Sequence, residues 1–265
     1  MGSYSGISYP RPLYRKLYEK TAYSALECSC KKLNYSIDRS NMNPRSIAER
    51  IDDKVMGDIA CLEVKKFLDE NGVFVRTYDE LRSDKYQLPD PGWDLVTGEA
   101  AKKWAYRIDD PSSPDNGVIK LSVKSSRIPK GRIIEDCISN FDFKIFKVHC
   151  AVIDDLTSEI EVQVYYQYEE SRFIGLNIKL DEVRRARQEG YQEIMEKLDI
   201  LKRYRMPILT AFINKEEMIT ISNDLARKNK ASWISSHEGY QKEMWRMPLK
   251  CGQDMRKLPR ALVLG

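Results

Sequence analysis

The chain is poor in the residues that build metal cages and disulfide frameworks. It has two histidines, His149 and His237, and six cysteines, at positions 28, 30, 61, 137, 150 and 251. The cysteines are scattered, and Cys28-Ser29-Cys30 has the wrong spacing for a zinc knuckle. Neither a structural zinc site nor a disulfide scaffold is expected. A reducing cytoplasm follows as the default compartment. No apolar run approaches the roughly eighteen residues of a membrane span, which argues against a spanning segment, and no membrane partner is expected. Met1 to Tyr18 is rich in Tyr, Pro and basic residues and lacks the apolar core of a secretory signal. There is no glycine-rich phosphate loop, so no nucleotide cofactor is expected. Internal repeats and low-complexity tracts are absent too.

What is present fits a folded protein. The chain has 265 residues, 42% hydrophobic and 32% charged, enough to bury a core and far from a disordered composition. The net charge of +4 permits nucleic-acid binding without requiring it. Its distribution is more informative. The stretch from 222 onward concentrates Arg227, Lys228, Lys230, Lys242, Arg246, Lys250, Arg256, Lys257 and Arg260, with Trp233, Tyr240 and Trp245 interleaved.

Along the chain, apolar periodicity predicts helices over 11–34 and 46–71, the second stopped by Gly72. Short strands are expected at 73–75, 93–97 and 118–124, with 104–108 as a hairpin partner of the second. Turns of helix follow at 133–138. Two longer strands, 143–153 and 160–168, are expected to form a hairpin around Asp154-Asp155-Leu156-Thr157-Ser158. A charged helix spans 180–204, and a strand covers 208–212. The sum is a central mixed β-sheet flanked by helices, of α/β or α+β class. No domain boundary stands out.

Two of these strands carry chemistry. Pro91-Gly92-Trp93-Asp94-Leu95-Val96 offers one carboxylate among apolar neighbours. Ile119-Lys120-Leu121-Ser122-Val123-Lys124 ends an alternating run on a lysine thirty positions later. Alternation puts Ser122 and Lys124 on one face and Leu121 and Val123 on the other. Asp94 is preferred to Asp90, which lies between two prolines ahead of the strand. Upstream, Gly57-Asp58-Ile59-Ala60-Cys61-Leu62-Glu63 sets Glu63 in an apolar helical stripe, between Ile59 and Phe67 at i−4 and i+4, where a carboxylate is costly unless paired or metal-bound. The plain alternatives are a turn-capping Asp94, an exposed strand-end Lys124 and a Glu63 bonded to a core cation.

The order of helix glutamate, strand aspartate and strand lysine resembles the catalytic core of the PD-(D/E)xK nuclease superfamily, and most closely its type II restriction endonucleases. The resemblance covers about residues 55–136. It departs from the family's third motif, an acid, any residue, then Lys, because Ser122-Val123-Lys124 has serine in the acid's place. Some restriction enzymes of the superfamily share that serine and take a glutamate from the following helix. Glu135, eleven residues after Lys124, is the obvious substitute here, and Glu63 can fill the same role.

The resemblance implies a restriction-endonuclease-like fold and a Mg²⁺-dependent, sequence-specific endonuclease for double-stranded DNA, working as a homodimer in a prokaryotic cytoplasm. Asp94 with Glu63 or Glu135, and the Val123 carbonyl, would hold the metal. Lys124 would orient water, with Ser122 supporting the site. It also implies a single nuclease domain over 1–265, with the catalytic core at about 55–170 and a basic DNA-contacting part at about 171–265. The loop Ser125, Ser126, Arg127, Lys130 and Arg132 suits phosphate contacts. Asn223, Arg227, Lys228 and Lys230 offer groups able to reach base edges and backbone. The alternatives are a structure-directed repair or recombination nuclease, and a DNA-binding protein that keeps the fold without catalysis.

Overall fold

The computed structural model describes residues 9–33, 45–86, 91–103, 117–146, 150, 152–167, 176–230, 233–235 and 243–264. Among them a six-stranded mixed sheet is flanked by helices. Its strands are β1 (Leu13–Tyr14), β2 (Val75–Thr77), β3 (Leu95–Thr97), β4 (Ile119–Arg127), β5 (Ile160–Tyr166) and β6 (Ile208–Asn214), in the spatial order β1-β6-β5-β4-β3-β2. β2, β3 and β4 form an antiparallel meander, β5 runs parallel to β4, and β6 is antiparallel to β5. A small hairpin of β7 (Trp233–Ser235) and β8 (Glu243–Trp245) stands apart.

One face of the sheet packs on α1 (Glu19–Lys32) and α2 (Ile47–Glu70). α2 starts in a capping box. Ser46 Oγ accepts from the Glu49 amide at 3.2 Å, and Glu49 Oε2 accepts from the Ser46 amide at 2.7 Å, which satisfies two of the donors a helix start leaves open. Its buried stripe of Ile51, Val55, Ile59, Val64, Phe67 and Leu68 meets Leu95, Leu121, Val123, Val162 and Val164 from the strands. Each such side chain contributes roughly 1.5–3 kcal/mol relative to exposure. The opposite face is covered by α4 (Ile134–Asn140), Phe141, Phe143, Ile145, Cys150, Ile153 and Leu156, α8 (Lys215–Arg227) and residues 245–249. A third, smaller cluster of Tyr78, Trp93, Val96, Ala101 and Val118 fills the β2–β3 edge, where the short α3 (Tyr78–Leu81) sits.

Several expected elements differ. The helix expected from residue 11 starts at Glu19, because Leu13 and Tyr14 pair with β6 as an edge strand. The hairpin partner at 104–108 lies outside the described residues. Of the strand expected at 143–153, residues 147–149 and 151 lie outside the described residues, and the described ones around it show isolated bridges at Asp142 and Phe146 and a 3-10 turn at Ile153–Asp155. β5 pairs instead with β4 and β6. The single helix expected over 180–204 is three: α5 (Leu180–Glu189), α6 (Gln192–Lys197) and α7 (Ile200–Arg203). It breaks at Gly190, with φ at +99°, and at Asp199, with φ at +51°, backbone regions that a helix cannot contain. α9 (Leu258–Leu264) closes the chain's described part. Among the described residues no helix is long and apolar enough to cross a membrane.

Candidate active site

Asp94 sits just ahead of β3, where the chain enters the sheet. Its amide donates to Leu121 O and its carbonyl accepts from the Tyr78 amide, both at 2.8 Å. Its carboxylate oxygen Oδ2 accepts from the Val123 amide at 2.6 Å. The aspartate is thereby tied to the middle of β4, one residue from Lys124. Asp94 and Lys124 face one cleft of about 480 Å³, walled by Pro91, Trp93, Ile145, Phe146 and Leu156.

A second carboxylate, Glu161, lines the same cleft. It comes from β5, the parallel neighbour of β4, and its register partner is Ser122; Gln163 is paired with Lys124 in the same way. Strand alternation explains the placement. Ile160, Val162 and Val164 point to the α2 side, which leaves Glu161 and Gln163 on the face of Ser122 and Lys124. Glu161 Oε1 accepts from Ser158 Oγ at 2.6 Å. Oε2 is buried with Ser122 Oγ beside it; the contact falls outside strict hydrogen-bond geometry but is close enough for the serine hydroxyl to favour the charged carboxylate.

Burial pushes the Glu161 carboxyl up to about 7. The Lys124 charge and the Ser158 hydroxyl pull the other way, and the negative charge of Asp94 adds to the rise. Gln163 lies buried beside Lys124 on the neighbouring strand. Its Nε2 donates to Lys124 O and Ser126 Oγ, both at 3.2 Å, and its Oε1 accepts from the Lys144 amide at 3.3 Å.

Glu63 is not in this cleft. α2 turns about 200° between Cys61 and Glu63. Cys61, with its Sγ 3.9 Å from Asp94 O, faces the sheet end, while Glu63 is fully buried against Arg15, whose Nε lies 3.5 Å away. Burial raises the Glu63 carboxyl, against the pull of Lys66 and Arg15. Glu135 is exposed in the first turn of α4 and does not line the cleft. The residues of α2 beside Asp94 are Asp58 and Cys61, which line a second cleft of about 370 Å³ on the α2 side. There Lys32 Nζ clamps Asp58 and Asp79, each at 2.6 Å.

The residues expected to contact DNA divide into three groups. Ser125, Ser126 and Arg127 are not loop residues, since β4 continues through Arg127. Ser126 is buried under Gln163. Arg127 points inward to Asp52, together with Arg203 at 3.0 Å from Asp52 Oδ2 and Tyr204 Oη at 2.7 Å from Oδ1. Its charge is consumed by a buried network. Lys130 and Arg132 lie exposed beyond the strand end. Asn223 and Arg227 are exposed on α8, with Arg227 paired to Asp224 at 2.7 Å, and Lys228 and Lys230 follow its end. Asp90, His149, His237 and Tyr240 lie outside the described residues.

Sequence reading missed Glu161 and Gln163. The signal was the run Ile160-Glu161-Val162-Gln163-Val164, where two polar residues interrupt an apolar strand at the period of one face. No protein-family model, curated protein or solved structure matches the chain.

Proposed function

We propose that the cleft between β3, β4 and β5 is the active site of a Mg²⁺-dependent endonuclease acting on double-stranded DNA. The observation that carries this reading is the meeting of Asp94, Glu161 and Lys124 in one cleft. The donor set fits the metal. Mg²⁺ takes hard oxygen ligands and is commonly held by one or two carboxylates, with water and substrate phosphate completing the shell. Glu161 offers a buried oxygen there whose neighbour, Ser122 Oγ, does not meet strict hydrogen-bond geometry. Asp94 and Glu161 are the two carboxylates that line this cleft.

Asp94 and Glu161 would hold the ion; Val123, expected to add a carbonyl, lines the cleft on the α2 side instead. Bound Mg²⁺ would supply charge stabilisation at a phosphoryl oxygen and acidify a water. Lys124 then has two tasks open to it on this geometry, orienting the attacking water and offsetting charge as it develops. Ser122 leaves room beside Glu161 where an acidic side chain would repel it. The apolar Trp93, Ile145, Phe146 and Leu156 walls lower the local polarity, which strengthens charge interactions inside. Exposed Lys130 and Arg132 are the phosphate contacts of choice near the β4 end. Cutting both strands of a symmetric site needs two such clefts, which supports a homodimer as the working form.

The test is incubation of the purified chain with plasmid and phage DNA in Mg²⁺ or in EDTA. Discrete fragments only with Mg²⁺ are expected. Cutting confined to branched DNA would move the reading to a structure-directed nuclease. Binding without any cutting would move it to a non-catalytic binder, the reading that the serine at 122 favours.

A further inference from the structure

The short crossing from the 3-10 turn into β5, Leu156-Thr157-Ser158-Glu159, touches both carboxylate-bearing segments of the cleft. Thr157 Oγ1 donates to Pro91 O at 3.0 Å, reaching the loop that carries Asp94. Ser158 Oγ donates to Glu161 Oε1 at 2.6 Å. The crossing is itself fastened on two sides. The Glu159 amide donates to Lys120 O at 2.9 Å, and Glu159 Oε2 accepts from the Lys120 amide at 2.6 Å. Lys215 Nζ donates to Leu156 O and its amide to Glu159 O, both at 2.9 Å.

Gly92 fits the same arrangement. Its φ is +97°, and a Cβ built there would lie 2.5 Å from Thr157 Oγ1. The glycine of Pro91-Gly92-Trp93-Asp94 is therefore required twice, by its backbone conformation and by the hydroxyl standing over it. A threonine serving only its own turn would bond locally; this one bonds a residue 66 positions away.

We infer that Thr157 and Ser158 are positioning residues that set the two carboxylates of the cleft for a divalent cation, the first through the Asp94 loop and the second directly on Glu161. This rests on the cation-binding reading of the cleft. Thr157 also lines the cleft; in this reading each hydroxyl acts by fixing a group that would hold the ion, the arrangement by which outer partners tune metal affinity.

The experiment is calorimetric titration of Mn²⁺ and of Ca²⁺ into the full chain without DNA, paired with thermal unfolding. The proteins are wild type, Thr157→Val, Thr157→Ser, Ser158→Ala and Gly92→Ala. Wild type is expected to bind. Thr157→Val and Ser158→Ala should each weaken binding by about 10-fold or more while unfolding cooperatively. Thr157→Ser should restore the affinity, since it restores the hydroxyl, and Gly92→Ala should behave like Thr157→Val. Wild-type affinity in both Thr157→Val and Ser158→Ala would overturn the inference and leave the metal site standing. Absence of binding in wild type would overturn the metal site, and this inference with it. Thr157 is exposed, so its valine variant keeps the test open should Ser158→Ala fail to fold.

Discussion

Ser122 and Glu161 occupy paired positions on the parallel neighbours β4 and β5, with their side chains on the same face of the sheet. The serine stands where the resembling family carries an acid, and the acid of this chain stands one strand away. Glu161→Gln is accordingly predicted to lower DNA cleavage by at least about 100-fold, the scale of removing one preorganised charge from an active site. Glu135→Gln, changed on an exposed helix, should leave cleavage near wild type. A steady-state assay on one duplex decides between them, and the reverse ranking would return the role to Glu135.

The burial of Glu161 has a pH signature. Its folded-state carboxyl stands at about 7 against an ordinary 4.5. Between those values the native state keeps a proton that the unfolded chain has lost, so stability falls as pH rises through this window. Below about 4.5 both states are protonated and the group contributes no slope. The loss amounts to on the order of 3 kcal/mol across the window. Urea unfolding of wild type and Glu161→Gln from pH 4 to 8, without divalent ions, should show the extra slope in wild type alone. Parallel curves would contradict it. Added Mg²⁺ favours the charged form, so its stabilisation should be larger at pH 8 than at pH 5.

Arg15 and Glu63 make a separate claim. Glu63 is fully buried and its oxygens find no hydrogen-bond geometry among the described residues, so its compensation is the charge of Lys66 and the Arg15 guanidinium at 3.5 Å. Arg15→Ala is predicted to destabilise the fold by about 3 kcal/mol, the lower end for breaking a buried pair. Glu63→Met in the same background should recover much of that loss. Denaturant unfolding reads both, and a double variant no more stable than Arg15→Ala would argue against the pairing.

The basic residues after β4 separate by burial. Lys130→Ala with Arg132→Ala should weaken DNA binding and reduce the slope of log affinity against log salt by about 2, one per phosphate contact. Arg127→Ala should instead lower stability, because it strips a cation from buried Asp52. Fluorescence anisotropy at several salt concentrations, read beside melting curves, distinguishes the two. An unchanged salt slope in the double variant would remove Lys130 and Arg132 from the interface.

The parts of the fold that the sequence made legible are those where local signals agree. α2 announces itself through Ser46-x-x-Glu49, a long apolar stripe and Gly72. Asp94 could be placed at a strand entry because prolines and a glycine bracket it, and strict alternation put Lys124 on the face of Ser122, but the strand does not end at Lys124 as expected and runs on through Arg127. Pairing was harder to see. Ile160 to Tyr166 reads as a strand, but nothing local says that its neighbour is β4, and only that parallel contact brings Glu161 beside Ser122. Glu63 misled for a related reason. An acid in an apolar stripe marks burial, and the sequence does not say whether the compensating charge is a metal or Arg15, which lies 48 positions earlier. The helix expected over 180–204 failed on backbone grounds, since charge patterning carries no trace of the positive φ that Asp199 adopts.

The central claim is that Asp94 and Glu161 together form a Mg²⁺-dependent cutting site. Its most direct test compares wild type with Asp94→Asn on linear and supercoiled duplex DNA, in Mg²⁺ and in EDTA, with DNA binding followed in parallel. The account predicts Mg²⁺-dependent fragments from wild type, none from the variant, and comparable DNA binding by both. Intact DNA with wild type under every condition, or cutting by Asp94→Asn at the wild-type rate, would contradict it.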